Sequence, residues 1–289
     1  MLRSVVAAAV AIAAVTVLAS CSSPPPPVPA SYYLALGDSL SRGVQPNAAG
    51  ASVETAQGYP DQVYARLAGD HPGLRLVQLG CPGETTETMM HGGICRYPGG
   101  SQLAAATAFL RSHRGHVLLV TIDIGANDPE SCGSQPSLKQ LSCIGEIPDA
   151  ATNLSSILAS VRTAAGPGVS VVGMSYYLPA LAEWRSGGLG KVVAEVGERL
   201  TVAYNDLLDR AYAQAGDPVA NVSGAFDATD FGDPTSVPGI GPLPRNVARI
   251  CELTWECTPA PRGPNQHANP AGYQVIANAI LKVAHLPRS

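Results

Sequence analysis

The sequence predicts an α/β fold, a three-layer sandwich with a central, mostly parallel sheet between two layers of helices. Two observations carry this. Short apolar runs of strand length alternate along the chain with segments whose apolar residues recur at helical offsets. Strands alternating with helices in this way imply a parallel sheet covered on both faces.

Residues 32–36 form a short apolar run ending at Gly37 and read as the first strand. Residues 74–79 follow as the second, and 116–124 as a longer buried strand. Residues 169–174 and 219–222 are the weaker strand candidates. Between them, Leu154, Ile157, Leu158 and Val161 fall on one face of a helix, and Val193, Val196, Leu200, Tyr204, Leu207 and Leu208 define a longer one. The last helix starts cleanly: Asn269 is a capping residue, Pro270 suits the first turn, and Tyr273, Ile276 and Ile280 form its buried stripe. Residues 226–263 are rich in Pro and Gly with little periodicity, and read as a long surface excursion.

The N-terminus reads as an export signal. Arg3 precedes an uncharged apolar stretch over residues 5–19, shorter than the ~20 residues that a membrane-spanning helix needs. Leu18-Ala19-Ser20-Cys21 resembles a bacterial lipobox, which implies cleavage before Cys21 and acylation of its sulfur; an ordinary secretory signal with an incidental cysteine is the alternative. The expected organisation is a signal peptide over 1–20, a lipidated Cys21 with a stiff Pro-rich spacer over 21–30, and one domain over 31–289. The expected location is the cell envelope, as a membrane-anchored lipoprotein, or the exterior.

Net charge is −4 with 14% charged residues, and no basic run occurs, so nucleic acid is not an expected partner. Of the seven cysteines, setting Cys21 aside leaves six, which allow 15 connectivities. Their grouping into three short-range couples suggests Cys81–Cys95, Cys132–Cys143 and Cys251–Cys257. No CxxC or paired-His spacing supports a metal site, and bridges suit an exported chain. Neither a metal nor an organic cofactor is implied.

Ligands of parallel α/β sheets bind beyond the carboxyl ends of the strands. Three turns there and one loop before the last helix carry distinctive residues: Gly37-Asp38-Ser39-Leu40, Gly80-Cys81-Pro82-Gly83-Glu84-Thr85-Thr86, Gly125-Ala126-Asn127-Asp128 and His267-Ala268-Asn269-Pro270-Ala271-Gly272-Tyr273. Acyl transfer needs a nucleophile, a base and donors aimed at the developing oxyanion. Ser39 and His267 supply the first two. The N–H groups of Ser39 and Gly83 and the amide of Asn127 suit the third. Each feature has a plainer reading: Gly-Asp-Ser as an ordinary turn, Asn127 as a helix cap, His267 as a loop histidine, Gly80 and Gly83 as shapers of a disulfide loop. Together those readings require four coincidences in one order. Asp38 and Asp128 read as structural, bonding local N–H groups, and Arg42 as solvent-facing.

These four blocks, in this order, resemble the GDSL or SGNH hydrolase family, and the placement of the cysteines resembles a subgroup of secreted bacterial esterases and lipases with three disulfides. The resemblance covers the whole domain. It implies a flavodoxin-like fold, Ser39 as nucleophile and oxyanion donor, Gly83 and Asn127 completing the hole, and His267 as base; Gly80 is the second choice for Gly83. One position departs from the pattern. The family usually has Asp three residues before the His, and here stands Pro264, with no carboxylate within ten residues upstream. The expectation is therefore a Ser–His dyad in which the backbone C=O of Pro264 orients His267, with Glu252 or Glu256 as the lesser choice for a triad partner.

The expected activity is hydrolysis of carboxylic esters by a monomer, with an acyl-ester small molecule, a lipid or an acylated glycan as substrate. Acyl transfer to a sugar hydroxyl, or binding of lipid or glycan without catalysis, are the alternatives on the same fold.

Overall fold

The computed structural model describes residues 30–130, 147–232 and 234–286. The expected signal peptide, Cys21, nearly all of the spacer and the Cys132–Cys143 couple lie outside these residues.

The first apolar run forms β1 (Ser31–Gly37), in which Tyr33, Leu34, Ala35 and Leu36 are wholly buried. A two-residue antiparallel pair, β2 (Gln45–Pro46) and β3 (Ser52–Val53), leads into α1 (Tyr59–Leu67) and then β4 (Leu74–Gln78). Next come α2 (Thr86–His91), α3 (Gln102–Ser112), the fully buried β5 (Val117–Asp123) and the short α4 (Asn127–Glu130). The chain continues through α5 (Ile147–Ala165), β6 (Ser170–Met174), a 3-10 segment (Pro179–Ser186), α6 (Gly188–Ala215), β7 (Val219–Ala220) and α7 (Val222–Ala225). A hairpin of β8 (Thr235–Val237) and β9 (Gly241–Leu243) precedes α8 (Arg245–Leu253), and α9 (Pro270–Val283) closes the domain.

All five strands expected from the sequence form one parallel sheet in the order β4-β1-β5-β6-β7. Counted along those five strands this is the 2-1-3-4-5 order of doubly wound folds, whose direction reverses between β1 and β5. α1 and α9 pack together on one face, and α2, α3, α5 and α6 on the other. Two of the predicted helical stripes lie in the core, Leu154, Ile157, Leu158 and Val161 of α5 and Tyr273, Ile276 and Ile280 of α9. The third holds only in part, since Tyr204 and Leu208 of α6 are buried while Val193, Val196 and Leu200 face solvent where the helix runs past the sheet. Asn269 caps α9 as expected, its Oδ1 accepting from the N–H of Ala271 and Gly272 at 3.0 Å each.

The structure corrects a second element. Residues 226–263 are not without regular structure, since they contain the β8–β9 hairpin and α8. α8 buries Val247, Ala248, Ile250 and Leu253 while Arg249 and Glu252 pair on its outer side at 3.2 Å. Cys251, in the last turn of α8, is bonded to Cys257 just beyond the helix, and Cys81 to Cys95 after β4.

Candidate active site

Ser39 follows β1 at the point where the sheet order reverses. Its turn is suspended from buried polar groups. Gly37, with φ at +132°, brings its Cα so close to β5 that a Cβ would lie 2.1 Å from the Asp123 carbonyl oxygen, so no other residue fits. Gln102 of α3 clamps this glycine, accepting from its N–H at 2.7 Å and donating to its C=O at 2.9 Å. Asp123 Oδ2 accepts from the N–H of Ser41 at 3.1 Å and of Asp38 at 3.4 Å, and Asp38 Oδ1 accepts from the N–H of Leu40 at 2.9 Å. Tyr59 donates its hydroxyl to Asp123 Oδ1. Asp38 and Asp123 are 1% and 0% exposed. Burial first, and then the neighbouring Asp38, push the Asp123 carboxyl well above the usual carboxylate range. Asp38 is thus structural, as expected.

Within the described residues, nothing hydrogen-bonds the Ser39 hydroxyl or its N–H, and the N–H of Gly83 donates to no protein group. Gly83 has φ +83° and open space where a Cβ would stand. Gly80 is a packing residue: a Cβ there would lie 1.7 Å from Ser41 Oγ. Asn127 donates one amide hydrogen to the Glu84 carbonyl at 2.9 Å, which fixes its plane and leaves the second hydrogen for a ligand. Asp128 holds α2 from across the loop, accepting from the Thr86 N–H at 3.0 Å and from its hydroxyl. It is structural, but over 42 residues of separation rather than locally.

His267 sits ahead of α9 in a loop tied down on three sides. Its C=O accepts from the Trp255 N–H at 3.1 Å, Thr254 and Ala268 form a bridge, and the Gln266 C=O accepts from the Tyr177 hydroxyl at 3.0 Å. The expected Pro264 carbonyl is not the partner of its ring. That place belongs to Asn265, whose Oδ1 lies 2.8 Å from His267 Nδ1 and also accepts from the His267 N–H at 3.1 Å. A backbone N–H only donates, so the atom facing both nitrogens is the oxygen, and Nδ1 carries the ring proton. Nε2 is left without a proton, able to accept one. The Asn265 amide in turn donates to Ser52 Oγ at 3.0 Å on β3. Glu252 is engaged with Arg249, and Glu256, its carboxyl raised by burial and by Glu183, makes no bond to the ring. Burial without a facing carboxylate pushes His267 down to about 4.

Ser39, Asn127 and His267 line one cavity of about 220 Å³ with Leu40, Tyr176, Leu178 and Pro179, among others. Its volume is below the roughly 300–1,000 Å³ of pockets for drug-sized ligands. The same three residues also border a second, more polar hollow with Gly83, Ser52 and Glu54. Arg42 is not free in solvent: it pairs with Glu54 at the rim of that hollow and donates to the Gln78 carbonyl at 3.2 Å.

The GDSL-like Lipase/Acylhydrolase family model matches residues 35–275. The chain belongs to this family. Its activity is that of a carboxylic ester hydrolase. Among solved structures, the extracellular lipase of Streptomyces rimosus is similar at 19% identity and a TM-score of 0.54, covering 89% of this chain and 100% of that one. A variant of an acetyl-xylooligosaccharide esterase from Geobacillus stearothermophilus is similar at 16% identity and a TM-score of 0.53, over 88% of this chain and 94% of that one. At these identities both speak for the fold. No curated protein matches the chain.

Proposed function

We propose that the protein is an exported serine esterase in which Ser39 attacks the ester carbonyl while His267 Nε2 takes its proton. The observation that carries this reading is the meeting of Ser39, Asn127 and His267 on one cavity, with His267 Nδ1–H held by Asn265 at 2.8 Å. The free N–H groups of Ser39 and Gly83 and the second amide hydrogen of Asn127 are the donors for the oxyanion. His267 then passes its proton to the leaving alcohol, and a water activated by the same ring hydrolyses the acyl-enzyme. Asn265 replaces the carboxylate of a triad: it fixes the tautomer but adds no charge, so the imidazolium is less stabilised and the base works at a lower pH.

The apolar lining and small volume of the cavity favour short- to medium-chain acyl groups, and the more polar hollow that also borders Ser39 suits the alcohol half. The two formed disulfides fit an oxidising compartment. They support export by the signal over residues 1–20; lipidation at Cys21 and the spacer that ends at residue 30 are the further parts of this proposal.

The test is p-nitrophenyl ester hydrolysis across chain lengths. Ser39→Ala and His267→Ala should each lower kcat by at least 10³-fold with the fold intact, and the optimum should lie at short chains. Full activity in either variant would sink the assignment. Absence of wild-type turnover, with no labelling of Ser39 by a fluorophosphonate, would favour a binding protein instead.

A further inference from the structure

The first half of α6 presents an apolar row to solvent. Leu189, Val192, Val193, Val196 and Leu200 are 78%, 51%, 38%, 47% and 55% exposed. At about 100° per residue they fall within an arc of roughly 100°. Ala203 and Leu207 continue the row, and no carboxylate interrupts it. Single exposed apolar residues need no explanation, but a contiguous patch does. Core packing does not supply one. In the second half of the helix Tyr204, Asn205, Leu208, Ala211 and Tyr212 are buried, whereas in the first half only Ala194 is. Tyr204 and Tyr212 bond the Gly125 and Ile122 carbonyls at the end of β5, at 2.7 and 3.2 Å, so the first half overhangs the edge of the sheet where the site lies.

The row also leads into the site. Thr201 and Tyr204, one turn further on, line the apolar cavity beside Leu178 and Pro179. A Cβ on Gly197 would lie 3.2 Å from Leu178 Cδ2, so the cavity's rim lies directly against the overhanging helix.

We propose that the first half of α6 docks on a lipid–water interface, from which the ester enters the apolar cavity. This rests on the ester-hydrolase reading of that cavity. A second copy of the chain is the poorer occupant: the five side chains expose on the order of 500 Å², short of the roughly 800 Å² per partner of a standard stable interface. A layer of acyl chains needs no matching shape, and an amphipathic helix enters it by its apolar face alone. The charges are placed accordingly. Arg199 borders the row, while Glu195 and Glu198 lie behind it, and Lys191 is turned back over the Trp184 ring at 4.9 Å. With a net charge of −4, the fitting surface is uncharged or zwitterionic rather than anionic.

The experiment compares one ester, tributyrin, dissolved below its solubility limit and emulsified above it, using the full chain. The wild type should gain at least fivefold in rate on passing to the emulsion. A variant carrying Leu189→Gln, Val193→Gln, Val196→Gln and Leu200→Gln should hydrolyse dissolved tributyrin within twofold of wild type and lose that gain. A wild-type rate that does not rise, or a variant that keeps the rise, overturns the proposal. So does light scattering that finds a wild-type dimer and a monomeric variant. Failure of the hydrolase reading itself would look different: the wild type would turn over neither dissolved tributyrin nor p-nitrophenyl butyrate.

Discussion

Ser39 and His267 border the same cavity from unlike settings. The turn of Ser39 leaves a fully buried strand and is fastened by Asp38, Asp123, Gln102 and Tyr59, all of them in the core. The loop of His267 lies outside the sheet, and its imidazole is oriented by one neutral, partly exposed amide. Inside, the polar groups are costly unless paired, and the pairing fixes geometry as a consequence. Outside, water can satisfy any of them, and orientation depends on a single bond backed by the Cys251–Cys257 bridge and the Ser52 contact. Stability should therefore be lost first from the Ser39 side and catalysis, without loss of fold, from the His267 side.

The largest effect follows from removing Asp123. Asp123→Ala leaves the N–H of Ser41 and the hydroxyl of Tyr59 buried without their acceptor and should lower stability by about 3 kcal/mol, read from thermal or urea unfolding. Asp123→Asn keeps an acceptor and should be far milder. The sign of its pH dependence sharpens this. The folded-state value lies above the unfolded 3.8, so the unfolded chain releases its proton first, and stability from this group falls as pH rises from about 4 through the folded value. Asp123→Asn removes that decline. A wild type whose stability does not fall in that range relative to Asp123→Asn would contradict a raised Asp123 carboxyl.

The second effect is on catalysis. Asn265→Ala frees the imidazole to rotate and to change tautomer, and should lower kcat by about 10²-fold with KM unchanged and the melting temperature nearly so. Asn265→Asp supplies the charge that the wild type lacks. It should raise the acidic limb of kcat/KM by more than one pH unit, since a facing carboxylate favours imidazolium. The wild-type limb itself should lie near 4, because a base lowered from 6.5 to about 4 stays neutral down to that pH. A wild-type limb at or above 6.5 would mean that a carboxylate or solvent reaches the ring.

The Ser39 side was the more legible in the sequence. Residues 32–36 are apolar and 116–124 nearly so, broken only by Thr121 and Asp123 after His116, because strands covered on both faces leave no regular polar alternation, and Gly37 marks where the chain must turn. The His267 side was legible only in part. His267 and the cap at Asn269 stand in a recognisable string, but Asn265 does not, since an Asn two residues before a His is an ordinary turn residue and the pattern calls for an acid elsewhere. Its Oδ1 receiving both the backbone and ring N–H is a property of the folded loop. α8 was hidden for a related reason: Val247, Ile250 and Leu253 have helical spacing, but nine residues between Pro-rich flanks make a short signal. α1 and α3 are likewise absent from the predicted elements, though Ser101 caps α3 with a 3.1 Å bond from the Ala104 N–H.

The smallest effect tests whether the bridge beside His267 belongs to stability or to catalysis. Cys251 and Cys257 are six residues apart, and a loop that short removes little freedom from the unfolded chain, about 2 kcal/mol in the chain-entropy view. Replacing both by serine should lower stability by no more than that. α8 stays packed through Val247, Ile250 and Leu253, and Asn269 still donates to the Glu252 carbonyl at 2.8 Å, so the loop keeps two attachments without the sulfurs. Esterase activity at 25 °C should fall less than threefold. A loss near that of Asn265→Ala, in a variant with an intact fold, would show instead that the bridge holds the imidazole in place, and that orientation on the exposed side is shared between a covalent link and the amide.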